Sequence, residues 1–367
     1  FLAPADVIIA GAGFAGLWSA LHLKTVNPDL SILICEKELI PSGASTRNAG
    51  FACFGSLTEL VDDLAFMGEV RMKEMVELRF KGLIQIRENF EDTEIDYQQL
   101  GGYELISKHQ YPDHQSMAED INQINALLQQ ITGEPAVFSN ADEKLADFGF
   151  GNTGHLVENR LEGQLHAGKL MRRLMQKVRL LGVEIFHGVG IAAFKNIEGY
   201  IDLTTSSGIH LQAKRLIIST NALAGQLSQH LSITPARGQV LLTTPIAGLP
   251  FGGCFHYDEG YYYFRNLDGR VLLGGARNVA FAEEETTEMN TTKTIQDELE
   301  RFLREVVIPG KEFSIEKRWS GIMGMAETKF PVVREIEPNV FCATGLGGIG
   351  IAIAPEVGRM VAALMIN

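Results

Sequence analysis

The chain is short of positive charge: 32 lysines and arginines stand against 45 aspartates and glutamates in 367 residues, for a formal net charge of -13. The summed field repels phosphate backbones, so no nucleic-acid partner is expected. Cysteine is scarce as well. Cys35, Cys53, Cys254 and Cys342 lie far apart in apolar neighbourhoods, with no CxxC or Cys/His ligand spacing; reduced thiols and no metal are expected. No unbroken apolar run reaches the roughly 18 residues of a membrane span. No secretory or transit segment is expected ahead of the first strand, and the expected location is the cytoplasm. Internal repeats and low-complexity linkers are missing too. What remains is a globular composition, 46% hydrophobic and 21% charged, in a chain long enough for two lobes that share a cleft.

The apolar run Asp6-Val7-Ile8-Ile9-Ala10 ends in glycines, and Phe14 to Leu23 then carries apolar residues at helical spacing. Leu30 to Cys35 is a second strand closing at Glu36, so the first residues form a β-α-β unit. A polar loop around Pro41 to Gly55 precedes an amphipathic helix over 66–90. Gly101 to Ile106 reads as a strand, His114 to Ile131 as a helix, Leu170 to Leu181 as a basic amphipathic helix, Val183 to Ile185 as a strand and Gly199 to Leu211 as a hairpin. Arg215 to Thr220 then reads as a buried, parallel-type strand that resumes the first lobe. Val240 to Thr244, Gly260 to Arg265 and Arg270 to Gly274 read as antiparallel strands, with Asp268-Gly269 as a hairpin turn. Thr294 to Val307 reads as a helix, and the chain closes with strand Val340 to Ala343, a glycine loop and a helix over Pro355 to Met365.

Gly11, Gly13 and Gly16 sit between a strand and a helix, in the turn Gly11-Ala12-Gly13-Phe14-Ala15-Gly16. That context suits a dinucleotide diphosphate: a tight turn, close backbone approach and unpaired amides at a helix start. Glu36, at the end of the second strand, is placed to accept from ribose hydroxyls and to disfavour a 2′-phosphate, which selects FAD or NAD over NADP. A glycine turn that merely packs a helix on a sheet is the plainer alternative.

The choice of FAD comes from two further segments. Gly43-Ala44-Ser45-Thr46-Arg47-Asn48-Ala49-Gly50-Phe51 offers small residues for a flat ring, with Ser45, Thr46 and Arg47 as donors to the diphosphate. Near the other end, Gly345-Leu346-Gly347-Gly348-Ile349-Gly350 repeats the Gly-x-Gly-x-x-Gly pattern after a strand, with no β-α-β unit following it in this sequence. Such a loop feeding a helix can aim amides at the carbonyl side of an isoalloxazine.

Taken in order, these segments resemble the D-amino-acid oxidase superfamily of FAD-dependent oxidoreductases, the group of glycine oxidase, sarcosine oxidase and γ-glutamylputrescine oxidase. Further landmarks are Gly163-Gln164-Leu165-His166, Pro235 to Gln239, Tyr261-Tyr262-Tyr263-Phe264-Arg265, Trp319-Ser320-Gly321 and Ala354-Pro355. The resemblance implies an α/β fold: a Rossmann-like FAD-binding domain over 1–95, 160–228 and 325–367, with a discontinuous α+β substrate domain on an antiparallel sheet over 96–159 and 229–324. It implies FAD with adenine near Ile191 and further contacts from Lys37, Ala49 and Thr220; no Cys or His stands in Ser45 to Gly50, so non-covalent attachment is expected. It implies hydride transfer from a C–H next to nitrogen onto flavin N5, with reoxidation by dioxygen or another acceptor. Tyr261 and Tyr263 are the expected catalytic tyrosines; alternation along a strand would place both on one face.

Two family arginines are missing. The carboxylate-binding arginine that follows Trp-x-Gly falls on Met323, and a second one in the glycine loop falls on Gly348. Methionine cannot form a bidentate ion pair, so a substrate other than a bare α-amino acid is expected, with Arg237 and Arg265 as the remaining anion-binding candidates. His166 and His256 are possible bases, though a structural histidine is commoner. A 2-hydroxy-acid dehydrogenase, for which His256 would be the base to test, and an FAD-containing RNA-modifying or binding module are the alternatives.

Overall fold

The computed structural model describes residues 4–111, 114–197 and 199–366. Its first sheet is built around Ala5–Ala10, which pairs in parallel with Ile32–Glu36 on one side and with His210–Ile218 on the other. Val340–Thr344 and Glu184–His187 extend the parallel run outward. A strand flanked on both edges and covered on both faces has no polar side to show, which explains why Val7, Ile8, Ile9 and Ala10 are uniformly buried.

Helices Phe14–Val26, Leu57–Asn89, Ala167–Leu180 and Gly350–Ile366 contribute to the larger core on one side of this sheet. Phe14–Val26 and Gly350–Ile366 cross so closely that a β-carbon on Gly358 would sit 2.5 Å from the Trp18 carbonyl carbon. The crossing therefore depends on the missing side chain.

Three readings need adjustment. The second arm of the expected hairpin and the expected buried strand after it are one continuous strand, His210–Ile218, which pairs antiparallel with Tyr200–Thr205 early and parallel with Ala5–Ala10 later. The long helix begins at Leu57, and Gly68 (φ 80°) breaks it just inside the expected segment. The last helix begins at Gly350, with Pro355 inside it at the loss of one backbone bond.

The second sheet runs in the order Ile315–Met325, Thr234–Thr243, Arg270–Gly275, Tyr262–Leu267, Cys254–Tyr257, Gly102–Ile106, His155–Asn159, Phe138–Asn140. All its pairings are antiparallel except that of Cys254–Tyr257 with Gly102–Ile106. Asp268 (φ 51°) and Gly269 (φ 77°) form the tight turn that their sequence implies. One face, carrying Leu241, Phe255, Tyr262, Phe264 and Leu273, packs with helix Lys293–Phe302 into a second core. The opposite face looks toward the first lobe. Its edge strand Ile315–Met325 escaped the sequence reading because Glu316, Lys317 and Arg318 interrupt any apolar alternation.

Replacing Gly358 by leucine is expected to cost on the order of 1–3 kcal/mol of stability through overpacking at the helix crossing. A urea titration should show a lowered midpoint with an unchanged slope; an unshifted midpoint would mean the two helices separate freely.

Candidate active site

At the carboxyl end of the central strand, Gly11 (φ 105°) turns the chain into helix Phe14–Val26. A β-carbon on Gly16 would lie 2.1 Å from the Gly11 carbonyl oxygen and 2.7 Å from Ser219 Oγ. No larger residue fits without moving backbone. Gly13 caps the helix with no side-chain acceptor of its own, and beyond Phe14 N, which donates to Ser45 Oγ, first-turn amides are left for an anion. The Glu36 carboxylate braces the turn, accepting from Ala12 N at 2.9 Å and Glu38 N at 3.0 Å, which commits part of it to backbone before any ribose arrives. Thr220 Oγ1, just past the adjacent strand, is buried without a partner. A glycine cradle, an uncapped helix start and an orphaned hydroxyl on one sheet edge fit a bound dinucleotide.

The segment Gly43 to Phe51 contains a short helix, Ala44–Arg47. Only Ser45 in it faces the cradle, where its Oγ accepts from Phe14 N at 3.0 Å. Thr46 donates to the Pro41 carbonyl at 2.9 Å, and Arg47 donates to the carbonyls of Ser42 (2.6 Å) and Ser320 (3.1 Å). The Thr46 hydroxyl and the Arg47 guanidinium thus donate to loop carbonyls, and Arg47 ties the loop to the second sheet. Asn48 shapes the loop, donating to Ala44 and Ser45 carbonyls and accepting from Gly50 N. Lys37 is exposed and only loosely paired with Glu38 at 3.7 Å, while Ile191 begins its edge strand.

The C-terminal loop arrives beside this segment. Gly345 (φ 73°) and Gly347 (φ 58°) bend it. Gly345 N donates to Asn221 Oδ1 at 3.3 Å and Gly347 N to the Gly324 carbonyl at 3.0 Å. Gly348 and Ile349 then lead into the helix that starts at Gly350. The loop brings Gly348 against the second sheet, where a β-carbon would meet Met323 Sδ at 3.8 Å. Met323 Cε lies 3.3 Å from a β-carbon position on Gly238, and the Tyr263 hydroxyl 3.9 Å from it.

Met323, Gly348, Gly238 and Tyr263 therefore enclose one spot. Phe51 walls it, with its ring centroid 5.7 Å from Tyr263 and 5.3 Å from His256. Burial pushes the Tyr263 phenol up to about 12, so it stays protonated. Burial, opposed in part by the charge of Glu59, holds the His256 imidazole down at about 4, so it is neutral near pH 7.

The remaining candidates separate. Tyr261 lies outside the strand: it closes a turn by donating its backbone N–H to the Asp258 carbonyl at 2.9 Å and packs its ring on Phe281. Alternation counted from Tyr261 fails because the strand begins at Tyr262. Arg237 is on the far face, buried against Glu284 at 2.7 Å, so it is not available to a substrate. Breaking such a buried pair costs ~3–5 kcal/mol. Arg265 is on the near face but donates to the Leu165 carbonyl at 3.1 Å, behind Gly50. His166 caps helix Ala167–Leu180, accepting from Lys169 N. Phe51 was missed because nothing in the sequence links it to a strand two hundred residues away.

The profile of the family described as "DAO: FAD dependent oxidoreductase" matches residues 6–364. The chain belongs to this family. Among curated proteins, this FAD-dependent oxidoreductase is similar to the probable oxidoreductase OrdL of Rhizobium meliloti (strain 1021), 23% identical over 99% of this chain and 83% of the relative. It is also similar to gamma-glutamylputrescine oxidoreductase of Escherichia coli (strain K12), 23% identical over 98% of this chain and 83% of that one. Its fold matches L-proline dehydrogenase from P. horikoshii (TM-score 0.79, 17% identity, 100% and 94% of the two chains). It likewise matches glycine oxidase from Geobacillus kaustophilus (TM-score 0.74, 21% identity, 100% and 95%). Among the described residues, no helix of this flavoprotein is long and apolar enough to cross a membrane.

Gly16→Val is expected to weaken FAD binding at least roughly tenfold, about 1.4 kcal/mol, because its side chain would displace the Gly11 carbonyl. Flavin absorbance retained on the purified variant, titrated with added FAD, measures this; a variant as yellow as the parent would show that the turn does not approach the diphosphate.

Proposed function

We propose that the enzyme oxidises a C–H bond next to nitrogen in an amine or amino-acid derivative that presents no α-carboxylate to the position of Met323. The carrying observation is the apolar enclosure itself: Met323 touches the approaches to Gly238 and Gly348, Arg237 is paired elsewhere, and Arg265 serves a loop carbonyl. An ionised carboxylate brought there would lose its water without gaining a cationic partner. The relative named for γ-glutamylputrescine, a substrate whose name describes an amine derivative, supports the same reading.

FAD, when bound between the two glycine loops, supplies the two-electron acceptor. The chain's residues do the rest. Met323 and Phe51 exclude water and favour the neutral amine over its ammonium form. Tyr263, protonated throughout the physiological range, orients the nitrogen through its hydroxyl. A neutral amine needs no strong base to lose hydride. A 2-hydroxy acid does need one, and His256, held at about 4, is too weakly basic to favour that alternative.

An anaerobic screen read at the flavin band is expected to show reduction by primary or secondary amines and little by glycine or 2-hydroxy acids. Met323→Arg is expected to raise kcat/KM for α-amino acids by roughly tenfold or more, since a bidentate carboxylate contact is gained. Parent enzyme reduced as fast by glycine as by amines would reject the reading. Tyr263→Phe is expected to lower kcat/KM for the best amine by roughly tenfold with the flavin spectrum intact, the scale of a lost orienting hydrogen bond; unchanged kinetics would remove Tyr263 from the mechanism.

A further inference from the structure

Away from Met323, the near face of the second sheet carries Lewis-basic groups that the proposed reaction leaves unused. Cys254 and His256 alternate to one side of strand Cys254–Tyr257. Cys53 follows the flavin-side loop, and Glu162 precedes the short strand Gly163–Gln164 that pairs with Phe51–Ala52. One ligand atom each from Cys53, Glu162 and His256 lie within 4.8 Å of one another. The sulfurs of Cys53 and Cys254 both approach the Gly163 carbonyl, at 3.9 and 3.3 Å.

We infer that Cys53, Glu162, His256 and Cys254 bind one divalent cation of the zinc class, clamping the flavin-side loop to the second sheet. Ligand atoms around tetrahedral zinc, with bonds of roughly 2.0–2.3 Å, lie about 3.3–3.8 Å apart, so the three clustered atoms need to close by only about an ångström or so. The donor set, two sulfurs, an imidazole and a carboxylate, is one that zinc prefers.

Three independent features support the assignment. Nε2 of His256 is buried with no hydrogen-bond partner. Glu162 is 1% exposed; its Oε1 accepts the backbone amides of Phe54 and Gly55, and the Cys53 thiol is its side-chain hydrogen-bond partner, with no lysine or arginine among the causes of its upward shift. Room for its other oxygen comes from Gly102, where a β-carbon would lie 1.9 Å from Glu162 Oε2.

Charge also closes. Two thiolates, a carboxylate and a neutral imidazole around a doubly charged cation leave one negative charge. Arg265, the cross-strand neighbour of Cys254, is 5% exposed and forms no ion pair among the described residues. It supplies the compensating positive charge. Binding releases the thiol protons, and the site, closed by four protein ligands, is structural. The positions 53, 162, 254 and 256 come together only in the fold, so no ligand spacing marks them in the sequence.

Holoenzyme produced with added zinc and dialysed without chelator is expected to hold about one zinc per chain, falling below roughly a tenth in Cys53→Ser and in His256→Gln. Cobalt-loaded protein is expected to show ligand-field bands in the red, beyond the flavin absorption, and chelation is expected to lower Tm. If the variants do not fold, zinc released from denatured parent and counted with a chromophoric chelator decides the matter. Metal-free parent that takes up no cobalt, equal metal in parent and variants, or a Cys53–Cys254 disulfide in the native protein each overturns the assignment.

Discussion

The approach of Gly16 to the Gly11 carbonyl and Ser219 Oγ is the contact on which the rest depends. A chain of net charge -13 cannot rely on its overall field to attract a diphosphate, so the anion must come close to oriented backbone dipoles. Closeness is a matter of ångströms. A β-carbon at Gly16 would push helix Phe14–Val26 away from the sheet, carrying its first-turn amides with it. Parallel pairing of Ala5–Ala10 with both neighbours holds the strand end rigid enough for that distance to matter.

The second sheet divides its labour by face. On one side Arg237 and Gln239 gather around Glu284 while an aromatic core packs below helix Lys293–Phe302. On the other side Tyr263, Met323 and His256 meet loops from the first lobe. Alternation along each strand makes this separation possible, since neighbouring residues can serve a buried ion pair and an apolar cleft without competing. The glycines Gly238 and Gly274 hollow the cleft side; a β-carbon on Gly274 would lie 2.5 Å from the Tyr263 ring. The cavity is made by omission as much as by the residues that line it.

The near face also concentrates buried polar groups. Glu104 accepts from Ser56, from Thr58 N and from Thr58 Oγ1, and burial raises its carboxyl to about 7 despite those bonds. Such groups oppose stability in isolation. Beside the flavin loop these groups are tied to Ser56 and Thr58, so hydrogen bonds join the apolar packing of Phe54 and Leu57 in holding the chain that follows the loop.

Periodicity and turn chemistry are local properties, so the chain's order of residues determined the β-α-β unit, the glycine cradle, the Asp268-Gly269 turn and the membership of the second sheet's central strands. It also put a methionine at position 323, where the family resemblance leads to the expectation of an arginine, which shaped the substrate reading. Tertiary structure decided what depends on direction: that Arg237 turns to Glu284, that Thr46 and Arg47 spend their donors on carbonyls, and that Tyr261 falls outside the strand while Tyr263 stays in the cleft. It alone assembled Phe51, Glu162 and His256 into neighbours. A side chain's partner is set by which face it leaves and what the other lobe places opposite, and neither quantity is written in the spacing of residues along one chain.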